Sequence, residues 1–195
     1  LLEVKKGVVK KHGELGVAQF AVMALGKLRG FELTTTSDLD LVFIYETPPE
    51  IPFSDGEKPL GPNHYFARLS QQYINALTAM TAEGGLYEID MRLRPSGNAG
   101  PVAVTLEAFE NYQRDNAWTW EHLALTRNRL VVGDPDFTDK ITNTINRVLS
   151  LETRDKNKLL SDTAEMREKL RKEFGSDNIW SIKHVKGGLV DIEFI

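Results

Sequence analysis

Cysteine is absent from the 195 residues, so no disulfide and no thiolate metal site can form. That fits a reducing compartment, and the expected location is cytoplasmic. No apolar run approaches the roughly 18 residues that a membrane-spanning helix needs, and no signal-peptide pattern opens the chain. Positive charge is not in excess: 24 Lys and Arg stand against 28 Asp and Glu, a net charge of −4. This argues against a broad nucleic-acid-binding face. Internal repeats and low-complexity tracts are also missing. What remains, 41% hydrophobic and 27% charged, is the composition of a soluble globular protein. Its length suffices for one domain with a sizeable core and a helical appendage. The chain opens at Leu1 and closes inside Asp191-Ile192-Glu193-Phe194-Ile195, an element with no stop signal, so a piece of a longer protein is expected.

The most informative stretch is Thr36-Ser37-Asp38-Leu39-Asp40-Leu41-Val42-Phe43-Ile44-Tyr45. Val, Phe, Ile and Tyr favour strand, and the run is too short for a typical helix. Side chains i and i+2 share a face of a strand, which points Asp38 and Asp40 the same way from its end. Two carboxylates held so close repel each other unless a cation neutralises them. A divalent metal would do so, and Mg²⁺ suits one or two carboxylates plus waters and substrate phosphates. The same residues also suit plain turn chemistry before a strand.

Before this stretch, Ala18 to Leu25 is a continuous apolar run that reads as a buried strand. It breaks into Gly26-Lys27-Leu28-Arg29-Gly30, which is not a P-loop. Two glycines around a lysine let backbone N–H groups and an ammonium approach a phosphate, or form a plain turn with a surface lysine. Ser37 can bond a phosphate oxygen or cap the turn. Residues 1–14 read as a lysine-bearing, partly helical lead-in with no assigned function. Thr47 to Asn63 holds five prolines and must be a surface loop, of a length more often functional or mobile than simply connecting. His64 to Glu83 reads as a helix, with Tyr65, Phe66, Leu69, Tyr73, Leu77 and Met80 on one apolar face and Gly84-Gly85 ending it.

Leu86 to Arg94 alternates apolar and charged residues, the pattern of a strand with one face in the core. Its other face would carry Glu88, Asp90, Arg92 and Arg94. That face is either ordinary solvated surface, or it brings Asp90 to Asp38 and Asp40 with two guanidinium forks for phosphate oxygens. Further on, Thr105 to Ala117 reads as a helix. Trp118 and Trp120 read as packing anchors and His122 as a structural histidine. Phe137 to Leu149 and Lys156 to Phe174 read as helices, the second charged and on the surface.

Taken together, these strings resemble a known family. Ser37-Asp38-Leu39-Asp40 after a glycine loop, with a third aspartate at Asp90, resembles the nucleotidyltransferase superfamily typified by DNA polymerase beta. The longer strings Phe20–Leu28, Ser37–Phe43, Tyr87–Gly97, Ala117–His122 and Gly187–Phe194 are similar to bacterial glutamine-synthetase adenylyltransferase. The resemblance implies an α/β (α+β) fold: a mixed twisted sheet flanked by helices, with a helical C-terminal extension. It implies a catalytic domain over residues 15–135, and over 136–195 the extension and the start of a helical domain. The family carries two similar halves, one attaching AMP from ATP to a tyrosine of glutamine synthetase and the other removing it by phosphorolysis. Trp118–His122 and Arg94–Gly97 look more like the attaching half.

By the same resemblance, Asp38, Asp40 and Asp90 would be catalytic and metal-binding. They would hold two Mg²⁺ ions, replaceable by Mn²⁺, about 3.5–4 Å apart as in two-metal sites, and Asp90 would help the tyrosine lose its proton. Gly26, Lys27, Ser37, Arg92 and Arg94 would bind the nucleotide. Glutamine synthetase is the implied protein substrate, and the PII signal protein and glutamine are the implied regulators, with no nucleic acid and no membrane involved. Arg29 departs from the family's usual Gly-Lys-Leu-Gly-Gly and adds a cation beside the glycine loop. Thr34-Thr35-Thr36 departs as well, where the family often has a Gly and an aromatic. A catalytically silent regulatory module is the alternative from another class.

Overall fold

The computed structural model describes residues 2–34, 37–82, 84–85, 87–150 and 155–194. Helix α1 (Leu2–His12) leads into strand β1 (Gln19–Ala24), a one-turn helix α2 (Gly26–Arg29) and strand β2 (Leu39–Glu46). Helix α3 (Pro62–Leu77) is followed by the short strands β3 (Met80–Thr81), β4 (Gly84–Gly85) and β5 (Ile89–Asp90). Then come β6 (Ala103–Thr105), α4 (Leu106–Asp115), α5 (Thr119–Thr126), β7 (Arg129–Val132), α6 (Pro135–Leu149), α7 (Lys156–Phe174) and α8 (Leu189–Glu193).

The main sheet is mixed. Strand β1 lies between β7 and β2 and is antiparallel to both. The far edge of β2 is shared by two short parallel partners. β5 pairs with its start at Leu39 and Asp40, and β6 with Phe43 to Tyr45. Both faces of β1 and β2 are covered, which is why these strands read as unbroken apolar runs. Phe20, Val22, Leu41, Phe43 and Tyr45 face α1 and α3, where they meet Val8, Tyr65, Phe66 and Leu69. Ala21, Met23, Val42 and Ile44 face the other way, onto Phe109, Leu125, Phe137, Ile141 and Ile145 of α4, α5 and α6. The architecture is the expected α+β one. Among the described residues, no helix is long and apolar enough to cross a membrane.

Several elements differ from their sequence reading. Helix α3 stops at Leu77, so Met80 lies in a small hairpin with Gly85 and is exposed rather than packed. Glu83 and Leu86, the expected ends of the helix and of the next strand, lie outside the described residues. The strand expected through Arg94 closes at Asp90. Beyond it the Arg94 N–H donates to the Met91 carbonyl at 3.2 Å, and Ser96 adopts φ +63°, so the backbone turns instead of extending. The proline-rich loop is pinned midway. Gly13 and Gly56 pack backbone to backbone, where a Cβ on Gly13 would stand 2.1 Å from the Gly56 nitrogen. The boundary expected at 135/136 falls within the first turn of α6, whose Phe137, Ile141 and Ile145 complete one core layer.

Candidate active site

Asp40 and Asp90 are directly opposed in the parallel β2–β5 ladder and so share a face of the sheet. Asp38 lies just outside β2, exposed. The three charges act on one another. Burial first, then the charges of Asp90 and Asp38, raise the Asp40 carboxyl to a pKa of about 6. Arg92 and Lys183 pull it down in part. Asp90 behaves oppositely. Its carboxylate accepts from the Arg92 backbone N–H at 2.8 Å and from Nε at 2.8 Å, and it pairs with Nη2. These bonds to Arg92 hold its pKa below the ordinary value despite partial burial. A carboxylate so held suits a ligand better than a proton acceptor.

The glycine loop closes one side. Gly26 has φ +54°, and a Cβ there would lie 2.8 Å from Asp40 Oδ2, so the backbone passes right against the carboxylate. The Leu25 N–H donates to the Asp40 carbonyl at 3.0 Å, which ties the two strand ends together. Lys27 Nζ reaches Ser37 Oγ at 3.4 Å, and Ser37, buried, accepts from the Thr34 N–H at 3.0 Å. Gly26, Lys27, Ser37, Asp38, Asp40 and Asp90 therefore gather at one end of the sheet.

Arg92 and Arg94 are placed otherwise than on a strand face. Arg92 is exposed and spends its fork on Asp90. Arg94 is buried and donates to backbone carbonyls, to Met91 at 2.9 Å and to Gly100 and Asn98 at 3.4 Å. It holds the turn that ends β5. Trp118 is largely exposed and Trp120 partly so, contrary to the expected anchoring role. The buried member of that string is Glu121, which accepts from the Trp118 N–H at 2.9 Å and the Tyr112 hydroxyl at 3.0 Å. His122 bonds the Gln113 carbonyl at 2.7 Å, a structural role.

The chain belongs to the glutamate–ammonia ligase adenylyltransferase family. That family's model matches residues 3–144, most of the chain. The bifunctional glutamine synthetase adenylyltransferase/adenylyl-removing enzyme of Brucella suis biovar 1 (strain 1330) is 50% identical over 192 residues, 98% of this chain and 19% of the relative. The enzymes of the same name from Xanthobacter autotrophicus (strain ATCC BAA-1158 / Py2) and Rhizobium meliloti (strain 1021) are 46% and 48% identical over 94% and 98% of this chain. Each time the chain spans 19% of the relative's length.

Among the described residues of this family member, no three His, Asp or Glu side chains are closed up as a ready-made ion cage. Arg92 occupies both Asp90 oxygens. The donor chemistry nonetheless fits a hard divalent cation. It consists of carboxylate oxygens alone, and Asp40 carries a charge disfavoured by burial and by two like neighbours until a cation is added.

Sequence reasoning missed three basic residues that reach this end of the sheet. Lys183, from the segment before α8, acts on Asp40. Arg129 Nη2 donates to the Leu28 carbonyl at 2.6 Å, and its guanidinium lies 4.0 Å from the centre of the Phe31 ring. Arg127 pairs with Glu32 at 2.9 Å and with Glu193. No local pattern marks these residues, because each arrives through the tertiary fold.

Proposed function

We propose that this chain carries an adenylyl-transfer site acting on glutamine synthetase, moving AMP from ATP to a tyrosine hydroxyl and releasing pyrophosphate. The observation that carries this reading is the pairing of Asp40 with Asp90, beside Asp38 and against Gly26, in a member of an adenylyltransferase family. Asp38, Asp40 and Asp90 would hold Mg²⁺, which supplies charge neutralisation along the triphosphate when bound. Gly26 brings backbone close to the phosphates, and Lys27 and Ser37 offer an ammonium and a hydroxyl to phosphate oxygens. Arg92, freed when Asp90 ligates, is left as a further cation for the polyphosphate. Arg94 keeps the β5 turn in place. The tyrosine oxygen forms a bond to the α-phosphorus as the bond to the pyrophosphate oxygen breaks. The phenol proton passes to solvent.

The relatives' name includes adenylyl removal, so phosphorolytic removal of AMP is the second reading. There a phosphate oxygen bonds to the AMP phosphorus as the bond to the tyrosine oxygen breaks, so that ADP and unmodified tyrosine are released. Two assays on the protein separate them. Incubation with Mg²⁺, ATP and unmodified glutamine synthetase should transfer labelled AMP, and Asp40→Asn should abolish transfer. Release of ADP from AMP-modified glutamine synthetase with phosphate, without transfer from ATP, would establish the second reading. Transfer at near wild-type rate in Asp40→Asn would overturn the assignment.

A further inference from the structure

A groove of about 400 Å³ runs between α5, α7 and the segment that leads into α8. Its walls are apolar: Trp120, Leu123 and Ala124 on α5, Met166 and Leu170 on α7, and Phe194. Its size lies within the roughly 300–1,000 Å³ of small-molecule sites. Gly26 and Lys183 also line it. Gly26 is the residue whose backbone abuts Asp40, so one end of the groove reaches the loop that lies against that carboxylate.

The groove thus joins an apolar slot with one aromatic wall to a mouth formed by Lys183 and by the Gly26 backbone that abuts Asp40. Arg127, at its edge, is spent on Glu32 and Glu193, whereas Lys183 makes no ion pair among the described residues. A ligand that fits is flat and apolar at one end and polyanionic at the other. Free apolar compounds would leave Lys183 unmatched, and free polyphosphate would leave the slot empty. We propose that this groove is the nucleoside pocket of the adenylyl-transfer site, with Lys183 meeting the polyphosphate at its mouth. The proposal rests on the adenylyl-transfer reading. Trp120 and Leu123 line the slot for the base, and Lys183 supplies a cation whose charge is felt at Asp40.

The test is calorimetric binding of Mg²⁺-ATP and of Mg²⁺-tripolyphosphate, which lacks a nucleoside. The proteins are the unaltered chain, Ala124→Leu, Trp120→Ala, Lys183→Ala, Lys183→Arg and Asp40→Asn, each with a melting curve. Filling the slot in Ala124→Leu should weaken ATP by at least about tenfold and leave tripolyphosphate unchanged. Trp120→Ala should weaken ATP alone, which covers the case in which Ala124→Leu fails to fold. Lys183→Ala should weaken both ligands, with recovery in Lys183→Arg. Unchanged ATP affinity in folded Ala124→Leu and Trp120→Ala, with loss in Asp40→Asn, would overturn the groove and keep the adenylyl-transfer reading. Equal loss of both ligands in Ala124→Leu and Trp120→Ala would also overturn it. Absence of ATP binding by the unaltered chain would overturn both.

Discussion

Asp40 is a side chain that is unfavourable for the fold at neutral pH and central to the proposed chemistry. Its pKa is raised to about 6 in the folded chain, chiefly by burial. An ordinary aspartate near 3.9 in the unfolded chain ionises first as pH rises. The folded state therefore binds the proton more tightly, and stability present below about pH 4 is lost as pH climbs through about 6. In metal-free protein, Asp40→Asn should raise the melting temperature at pH 7–8, and the gain should vanish near pH 4. The same variant should lose Mg²⁺-dependent ATP binding. A melting temperature that falls at neutral pH would show that the Asp40 charge is already compensated. Gly26 makes a second test. Gly26→Ala would force a Cβ at φ +54° against Asp40 Oδ2, so a loss of about 1 kcal/mol in denaturant unfolding and weaker ATP binding are expected.

At the scale of elements, the site depends on how strand ends and one loop are held. The loop after β1 carries Gly26 and Lys27, and β7 fastens it from behind through Arg129 and the neighbouring Arg127. Arg129→Ala removes a donor to the Leu28 carbonyl and the stack on Phe31. Faster hydrogen exchange of amides 26–32 and a raised KM for ATP should follow, with the core unaffected. Lysine should rescue poorly, because it lacks the planar fork. Helix α6 is a core layer, not an appendage: Ile141 is fully buried against β1 and β2. Ile141→Ala should cost about 2–5 kcal/mol in chemical denaturation. A cost under about 1 kcal/mol would mean that the layer is dispensable.

The whole molecule divides its labour between a sheet body and a C-terminal wall. Among the described residues, both core clusters are built from residues up to Leu149, and α7 contributes no buried residue. A chain ended at Ser150 should still unfold cooperatively in a thermal melt. It should bind ATP more weakly, since Lys183 and two walls of the groove are gone. Loss of the cooperative transition would show instead that α7 stabilises the body through its packing on α5. Beyond the groove, Ile179, Trp180, Ile182 and Ile192 are exposed.

The sequence by itself determined what depends on neighbours along the chain. The apolar runs of β1 and β2 have nowhere to go but a two-sided core. Gly26 and the Asp38–Asp40 pair stand at strand ends because the apolar pattern starts and stops there. Thr105 caps α4 through its side chain, accepting from the Ala108 N–H at 3.1 Å. Tertiary structure alone decided what meets what. β5 is two residues long, too short for its alternation to show where it stops, and it joins β2 only because β2 leaves an edge open before β6. Trp118 and Trp120 looked like anchors, yet Glu121 is the buried residue, since Tyr112 and the Trp118 N–H supply its partners. Lys183 comes to Asp40 only after the chain has passed through α7 and returned. Such long-range meetings leave no local pattern, because the forces that favour them act between residues far apart in sequence.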